Sequence, residues 1–421
     1  MLTGKTWSEP RNVNVNTPPS KPVKLAIINA ALVHEHAQAR WRMLSERYPV
    51  DVSLLIPNKW EQFNVWNTHQ SWRPKELHQG RFHVIPLPTR SVRADWYFPS
   101  LFGVMRELRP DLVYVIQNEM AWTLSHTILC RDLLRARTKI MFFTMHALGI
   151  KLPRLYHKLR WLYNRRGVAA ALCHYPGCMQ SLRNGGFNKP VFLQTQVGVD
   201  QSVFFPDESL GQACRAELGI GDGTFVVGCV ARLTEEKGIM DLLAALPIPG
   251  TDWKLLVLGE GVLREQFRDL ARARGIGDRV IMTGLVPPNE VAKFLRAMDC
   301  LVHVPHTTSH WIETFSLAVA QAMATQRPVI GSDTGSVPWQ VRDCGIIVKE
   351  RAPEEVHRAL VSLGTDRKLR EHLGALAYRR ATANFCISAM TDNFYSIMKQ
   401  VLSNDFGASG DSDAQAHAHL A

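Results

Sequence analysis

The side chains best suited to chemistry in this 421-residue chain are a carboxylate, Glu313, and two cations, Arg232 and Lys237. Glu313 stands between a polar loop, residues 305–311, and a nearly uncharged run of small residues, 315–324. Such a run predicts a helix buried on most sides, and the free backbone N–H groups at its start then face whatever cleft the loop borders. That end of a helix attracts an anion. A carboxylate just before it would repel a phosphate, unless it faces a neutral polyol a little further along, as the sugar of a sugar diphosphate provides. Arg232 and Lys237 extend the same idea. They flank a strand-to-helix turn in FVVGCVARLTEEKGIMDLL, where two cations can straddle one diphosphate, the guanidinium forking onto oxygens and the ammonium acting as a point charge.

These groups need rigid supports, and the chain supplies them as strand-length apolar runs separated by segments of helical spacing. KLAIIN, VDVSLLIP, DLVYVI and TKIMFF lie in the first half, and FVVGCV, WKLLVLG, RVIMTG, DCLVHV and PVIG in the second. The alternation predicts a parallel sheet flanked by helices in each half. Ligands of such sheets bind beyond the carboxyl ends of the strands. Gln117-Asn118-Glu119 follows one of these strands and His146 ends another, so Glu119 is a candidate contact for an acceptor. A lone histidine in that position is more often structural than catalytic. Residues 58–96, rich in Trp, His and Arg, predict an edge hairpin covering the sheet, with an aromatic sugar platform as the alternative.

Glu313, Phe315, Ala322-Met323-Ala324, Pro328-Val329-Ile330 and Ser332-Asp333-Thr334-Gly335, taken in register, resemble the nucleotide-sugar site of retaining glycosyltransferases of family 4, the "glycosyl transferases group 1" type of bacterial polysaccharide biosynthesis. The family pattern is E-x7-E, a small-residue helix and then P-V-I-x-[ST]-D-x-G. The run from Arg232 to Gly238 matches its R-x4-K-G motif, and QTQVGVDQSVFFP resembles its interdomain linker. Four departures stand out. Gln321 replaces the second acid, Gln326-Arg327 stand where a glycine usually precedes the proline, Val197 replaces the linker Asn, and Ala30-Ala31-Leu32 occupy the place of a Gly-Gly pair.

The resemblance implies the GT-B architecture: two Rossmann-like, doubly wound parallel-sheet α/β domains facing each other across a cleft. Residues 23–203 would form the acceptor domain and 204–389 the donor domain, with a helix at 390–402 returning to the first. Residues 1–22 and 403–421 would be a disordered lead and tail. The implied reaction moves a hexose from a nucleoside-diphosphate sugar to a hydroxyl of a glycan, expected to be lipid-linked, with retention of configuration. Arg232 and Lys237 would hold the diphosphate, helped by the helix start at Thr314, Phe315, Ser316 and Leu317. Glu313 would hold the sugar hydroxyls, Gln321 the ribose, and Gly284 the base through its backbone. His146 would act on the sugar from the opposite domain, with Glu119 at the acceptor. No Asp-x-Asp motif stands in a suitable loop, so no metal and no other cofactor is expected. Two other readings stay open: a glycan phosphorylase or epimerase on the same architecture, and a catalytically impaired sugar-nucleotide-binding subunit, which Gln321 would suit.

The formal charge of +11 calls for an anionic partner such as lipid, diphosphate or nucleic acid, and no nucleic-acid motif accompanies it. The stretch from Lys151 to Arg166 is basic, free of acids and interleaved with aromatics. It suits either a helix lying on an anionic membrane surface or a solvated helix face. No apolar run approaches the roughly 18 residues of a membrane span, and the N-terminus lacks the apolar core of a signal peptide. Eight cysteines without a C-x-x-C pair read as free thiols in a reducing compartment. A cytoplasmic location is therefore expected, with attachment to the inner face of a membrane as a further option.

Overall fold

The computed structural model describes residues 21–63, 69–92, 95–148 and 155–404, so nearly all of the expected lead and tail, and Lys151 to Arg154, lie outside it. The first half opens with β1 (Val23–Ile28), α1 (Glu35–Arg47) and β2 (Val50–Pro57). A hairpin of β3 (Trp60–Phe63) and β4 (His69–Trp72) follows, then β5 (Leu77–Gln79) and β6 (Phe82–Leu87), and a second hairpin of β7 (Arg90–Val92) and β8 (Asp95–Tyr97). The chain continues through α2 (Leu101–Leu108), β9 (Leu112–Val115), α3 (Trp122–Leu133), β10 (Lys139–Thr144), α4 (Leu155–Gly167), β11 (Ala170–Cys173), α5 (Pro176–Asn184) and β12 (Val191–Leu193). The sheet order is β12-β11-β10-β9-β1-β2-β6-β5. All its pairs are parallel except β5 on β6.

The second half alternates α6 (Glu208–Glu217), β13 (Phe225–Val230), α7 (Ile239–Ala244), β14 (Trp253–Leu258), α8 (Arg264–Ala273), β15 (Val280–Gly284), α9 (Val291–Ala297) and β16 (Cys300–His303). It ends with α10 (Leu317–Ala324), β17 (Val329–Ser332), α11 (Val337–Val341), β18 (Gly345–Val348), α12 (Pro353–Thr365), α13 (Arg367–Asn384) and α14 (Ile387–Ser403). This sheet is wholly parallel, in the order β15-β14-β13-β16-β17-β18. Helices cover both faces of each sheet, which is why the central strands are apolar throughout rather than alternating. Strand order reverses between β1 and β9 and again between β13 and β16, and a crevice opens at the carboxyl ends at each reversal.

Where one edge hairpin is expected, the segment 58–96 gives two, and it also adds β6, with β5 beside it, to the main sheet. That strand lies one place from the edge and is only half buried, so its mixed sequence FHVIPL gives no strong strand signal. Beyond the second domain, α14 returns to the first. Met390, Phe394, Ile397, Met398 and Val401 recur at helical spacing and are all buried. Phe394 packs edge-on against Trp41 of α1 at 5.0 Å and sits 5.2 Å from Tyr114 of β9. All eight cysteines are free and buried, and no described helix is long and apolar enough to cross a membrane. Replacing Phe394 by Ala should cost the first domain about 3–5 kcal/mol, read as an earlier denaturant transition in tryptophan fluorescence. A loss below about 1 kcal/mol would mean that α14 does not brace this domain.

Candidate active site

Two glycines shape the crevice of the second domain. After β13 the chain turns through Arg232 to Gly238, whose φ of +65° is left-handed, and a Cβ there would lie 1.8 Å from the carbonyl oxygen of Val304. Only glycine lets this turn seat beneath the end of β16. Gly335, with φ +53°, does the same for the Glu313 carbonyl, which an added Cβ would meet at 2.0 Å and which accepts from the Ser336 N–H at 2.8 Å. Together these turns bring Lys237 to Glu313.

Glu313 is 6% exposed and accepts from Lys237 Nζ at 2.8 Å and from His303 Nε2 at 3.2 Å. Burial opposes its ionisation, but the bond and charge of His303 and the charge of Lys237 outweigh it and hold the carboxyl down to about 2. The Lys237 ammonium also lies 4.3 Å from the centre of the Trp311 ring, a cation–π contact. Arg232 is half-exposed and pairs with Glu236 at 3.3 Å.

Ser316 caps α10, its hydroxyl accepting from the Val319 N–H at 3.3 Å. The buried amide of Gln340 grips the same residue twice. Its Oε1 accepts from Ser316 N at 3.0 Å, and its Nε2 donates to Ser316 O at 2.7 Å. The expectation that the Ser316 N–H would meet a ligand therefore fails, because Gln340 already occupies it. Leu317 and Ala318 head the helix, where N–H groups have no intrahelical acceptor. Thr314 is half-buried beside Glu313, and the Phe315 ring packs 5.7 Å from Phe385. Gln321, on the next turn of α10, is half-buried. Gly284 ends β15 with φ +73°, and a Cβ there would come 2.9 Å from Glu260 Oε1.

Across the cleft, His146 lies just beyond β10 with half its side chain exposed, and its Nδ1 is 2.8 Å from Glu119 Oε1. Glu119 is not free to contact an acceptor as expected. It is 1% exposed, its second oxygen accepts from Thr144 Oγ1 at 2.7 Å, and Asn164 fixes its backbone carbonyl at 2.9 Å. Its place is behind His146, which it orients. The hydrogen bond to Glu119 raises the His146 pKa above its ordinary value, burial opposing it, and the Glu119 carboxyl, despite its burial, is lowered by His146. His174 leaves the neighbouring strand at the same sheet edge. Its ring lies 5.7 Å from Phe315, a contact between the two domains, and burial pushes its pKa down to about 4.

Four residues at this site escaped the sequence: His303, Trp311, Gln340 and His174. Two of these histidines, 303 and 174, stand at carboxyl ends of parallel strands, the same signal that singled out His146. Gln340 and Trp311 carried none. Among the described residues no group of three or more His, Cys, Asp or Glu side chains converges as a metal site.

The family model of glycosyl transferases group 1 matches residues 212–380. The second domain belongs to that family. A D-inositol 3-phosphate glycosyltransferase of Segniliparus rotundus is 37% identical over 177 residues, 39% of this chain and 37% of that protein. A lipopolysaccharide core biosynthesis mannosyltransferase, LpcC, of Rhizobium leguminosarum bv. viciae is 28% identical over 285 residues, 64% of this chain and 72% of that protein. The chain thus spans little more than a third of the first relative and about half of several others. Anabaena HepE, solved in complex with UDP, superposes with a TM-score of 0.68 at 15% identity, covering 90% of this chain and all of that one. The likeness shows a shared two-domain fold, the GT-B fold.

The His146–Glu119 pair makes a titration test. Because the folded pKa of His146 is raised, its stabilising charge is fully present below the ordinary value of about 6.5 and is lost as the pH rises through the raised value. Histidine NMR should show His146 titrating above 6.5 in the native chain and at or below that value in Glu119→Gln. Equal titration in both would leave Glu119 without influence on the ring.

Proposed function

We propose that the chain is a retaining glycosyltransferase that moves a hexose from a nucleoside-diphosphate sugar to a hydroxyl of a glycan, lipid-linked, in the assembly of a cell-surface polysaccharide. The observation that carries this reading is the convergence of Lys237, Glu313 and the start of α10, with Arg232 just upstream. As the sugar–phosphate bond breaks, negative charge grows on the departing diphosphate. Arg232, Lys237 and the Leu317 and Ala318 amides are the groups to neutralise it, and preorganised charge of this kind supplies several kcal/mol of transition-state stabilisation. Glu313, held ionised, is an acceptor for the sugar's hydroxyls. The relatives' printed activities, glycosyl transfer to inositol phosphate and mannosyl transfer to a lipopolysaccharide core, suit a polyol or glycan acceptor. His146, whose pKa the bond to Glu119 raises, serves as a donor to the sugar from the first domain, and Gln321 is assigned to the ribose.

A lipid-linked acceptor draws support from one face of the first domain. Leu155, Leu159 and Tyr163 of α4 stand four residues apart and are all exposed, with Tyr156 beside them, and Leu129 and Leu133 of the adjoining α3 are exposed as well. Exposed Lys158 and Arg166 accompany them. An apolar stripe with basic neighbours suits an anionic bilayer, at the inner face of a membrane.

The test is transfer or donor hydrolysis across a panel of UDP-, GDP- and ADP-sugars, with the anomeric configuration of the product read by NMR. Arg232→Ala and Lys237→Ala should each weaken donor binding by roughly 1.5–3 kcal/mol, and wild-type affinity in both would remove the donor site. Gln321→Glu should preserve turnover and lower the donor KM by up to about tenfold, because a carboxylate accepts from both ribose hydroxyls. Glu313→Gln should cut kcat instead, and the reverse pattern would mean that the two positions are wrongly assigned. Vesicles of anionic lipid should bind the chain in a salt-sensitive way and neutral ones poorly. Equal sedimentation with both, or none with either, would leave α4 a solvated face.

A further inference from the structure

Where the chain crosses between the domains, a cavity of about 640 Å³ opens beside the segment that follows β12. Gln194 and Asn393 line it from the first domain, and Trp339, Arg342, Arg379 and Arg380 from the second. Its charged lining is three arginines and one carboxylate, Asp343. Arg379 is exposed, and its side chain has no hydrogen bond or ion pair among the described residues. Arg380 is spent in part on the backbone, donating Nε to Gln340 O at 2.8 Å and Nη2 to Trp339 O at 2.7 Å. Its Nη1 has no partner among the described residues. Burial pushes the Arg380 pKa down to about 10, and the neighbouring Arg342 charge pushes the same way. Arg342 itself adopts φ +50° and ψ −129°, a conformation ordinarily left to glycine, and strained backbone of this kind clusters at ligand sites.

We infer that this hinge cavity binds a small oxyanion, a phosphate monoester or a carboxylate, at a site separate from Arg232 and Lys237. Arg379 and the Nη1 group of Arg380 bring open guanidinium donors to a cavity whose lining holds one carboxylate, Asp343, and planar forks of this kind suit phosphate and carboxylate oxygens, while Trp339 offers an apolar wall for the carbon body. The site is also wired to α10. Arg380 holds the Gln340 carbonyl, and the Gln340 side chain clamps both backbone groups of Ser316, the cap of that helix. An anion drawing on Arg380 therefore bears on the helix start, and because both domains wall the cavity, its occupant favours one interdomain setting. The coupling to donor rests on the donor reading above, whereas binding of the anion does not.

The test is calorimetric titration of the full chain with inorganic phosphate, glucose 6-phosphate and citrate. At least one should bind saturably. Affinity should fall tenfold or more in the double variant Arg342→Gln, Arg379→Gln and stay unchanged in Arg232→Ala, Lys237→Ala. With the anion present, affinity for UDP or GDP should shift about fivefold or more in the native chain and not in the Arg342, Arg379 variant. The site is overturned if none of the three probes binds, if binding survives in the Arg342, Arg379 variant, or if the Arg232, Lys237 variant loses it, which would put the anion in the donor crevice. Nucleotide affinity indifferent to a bound anion overturns the coupling. Failure of both UDP and GDP to bind the native chain would instead count against the donor reading alone.

Discussion

The second domain is arranged around one buried carboxylate. Withdrawing a charged group such as Glu313 from water carries a penalty of several kcal/mol unless partners compensate it, and here the partners arrive from two different strands. Lys237 comes from the turn after β13 and His303 from the end of β16, the two strands that flank the reversal of sheet order. The pairing holds only if both turns pack tightly, which is what Gly238 and Gly335 permit. The carboxylate thus fixes the relative seating of the turns around it, and the shape of the crevice is a by-product of satisfying one charge.

The two sheet edges that meet across the cleft answer each other electrostatically. On one side a buried carboxylate, Glu119, hydrogen-bonds a half-exposed imidazole and raises its pKa. On the other, an imidazole and an ammonium sustain a buried carboxylate as an anion. A ligand between them meets an imidazole on one face and an anionic acceptor on the other. A polyol, which both gives and accepts hydrogen bonds through each hydroxyl, can use both. The contact of His174 with Phe315 ties these edges together through neutral, apolar packing.

Much of this was legible in the chain because the physics that made it is local. Central strands declare themselves as unbroken apolar runs, the cations of Arg232 and Lys237 sit on one turn, and the buried positions of α14 keep helical spacing. What could not be read is what depends on partners distant in sequence. Glu119 follows a strand like any ligand contact, but whether it faces solvent or turns inward to His146 is decided by Thr144 and Asn164, 25 and 45 residues away. Gln340 carries no local sign of its role, because its grip on Ser316 spans 24 positions. β6 hid because a half-buried strand beside a sheet edge has no need of an apolar sequence. The Ser316 amide shares the reason with Glu119: its partner, Gln340, is remote in sequence.

The return of α14 to the first domain also sets the order in which the molecule can be finished. Trp41 and Tyr114, which Phe394 covers, are made before the second domain, and their cover is made after it. At a synthesis rate of roughly 5–20 residues per second, the second domain intervenes for a time on the order of 10–40 s. For that interval the nascent first domain carries an open apolar flank that its own sequence cannot yet close. The first domain is thus completed only after the second has been made.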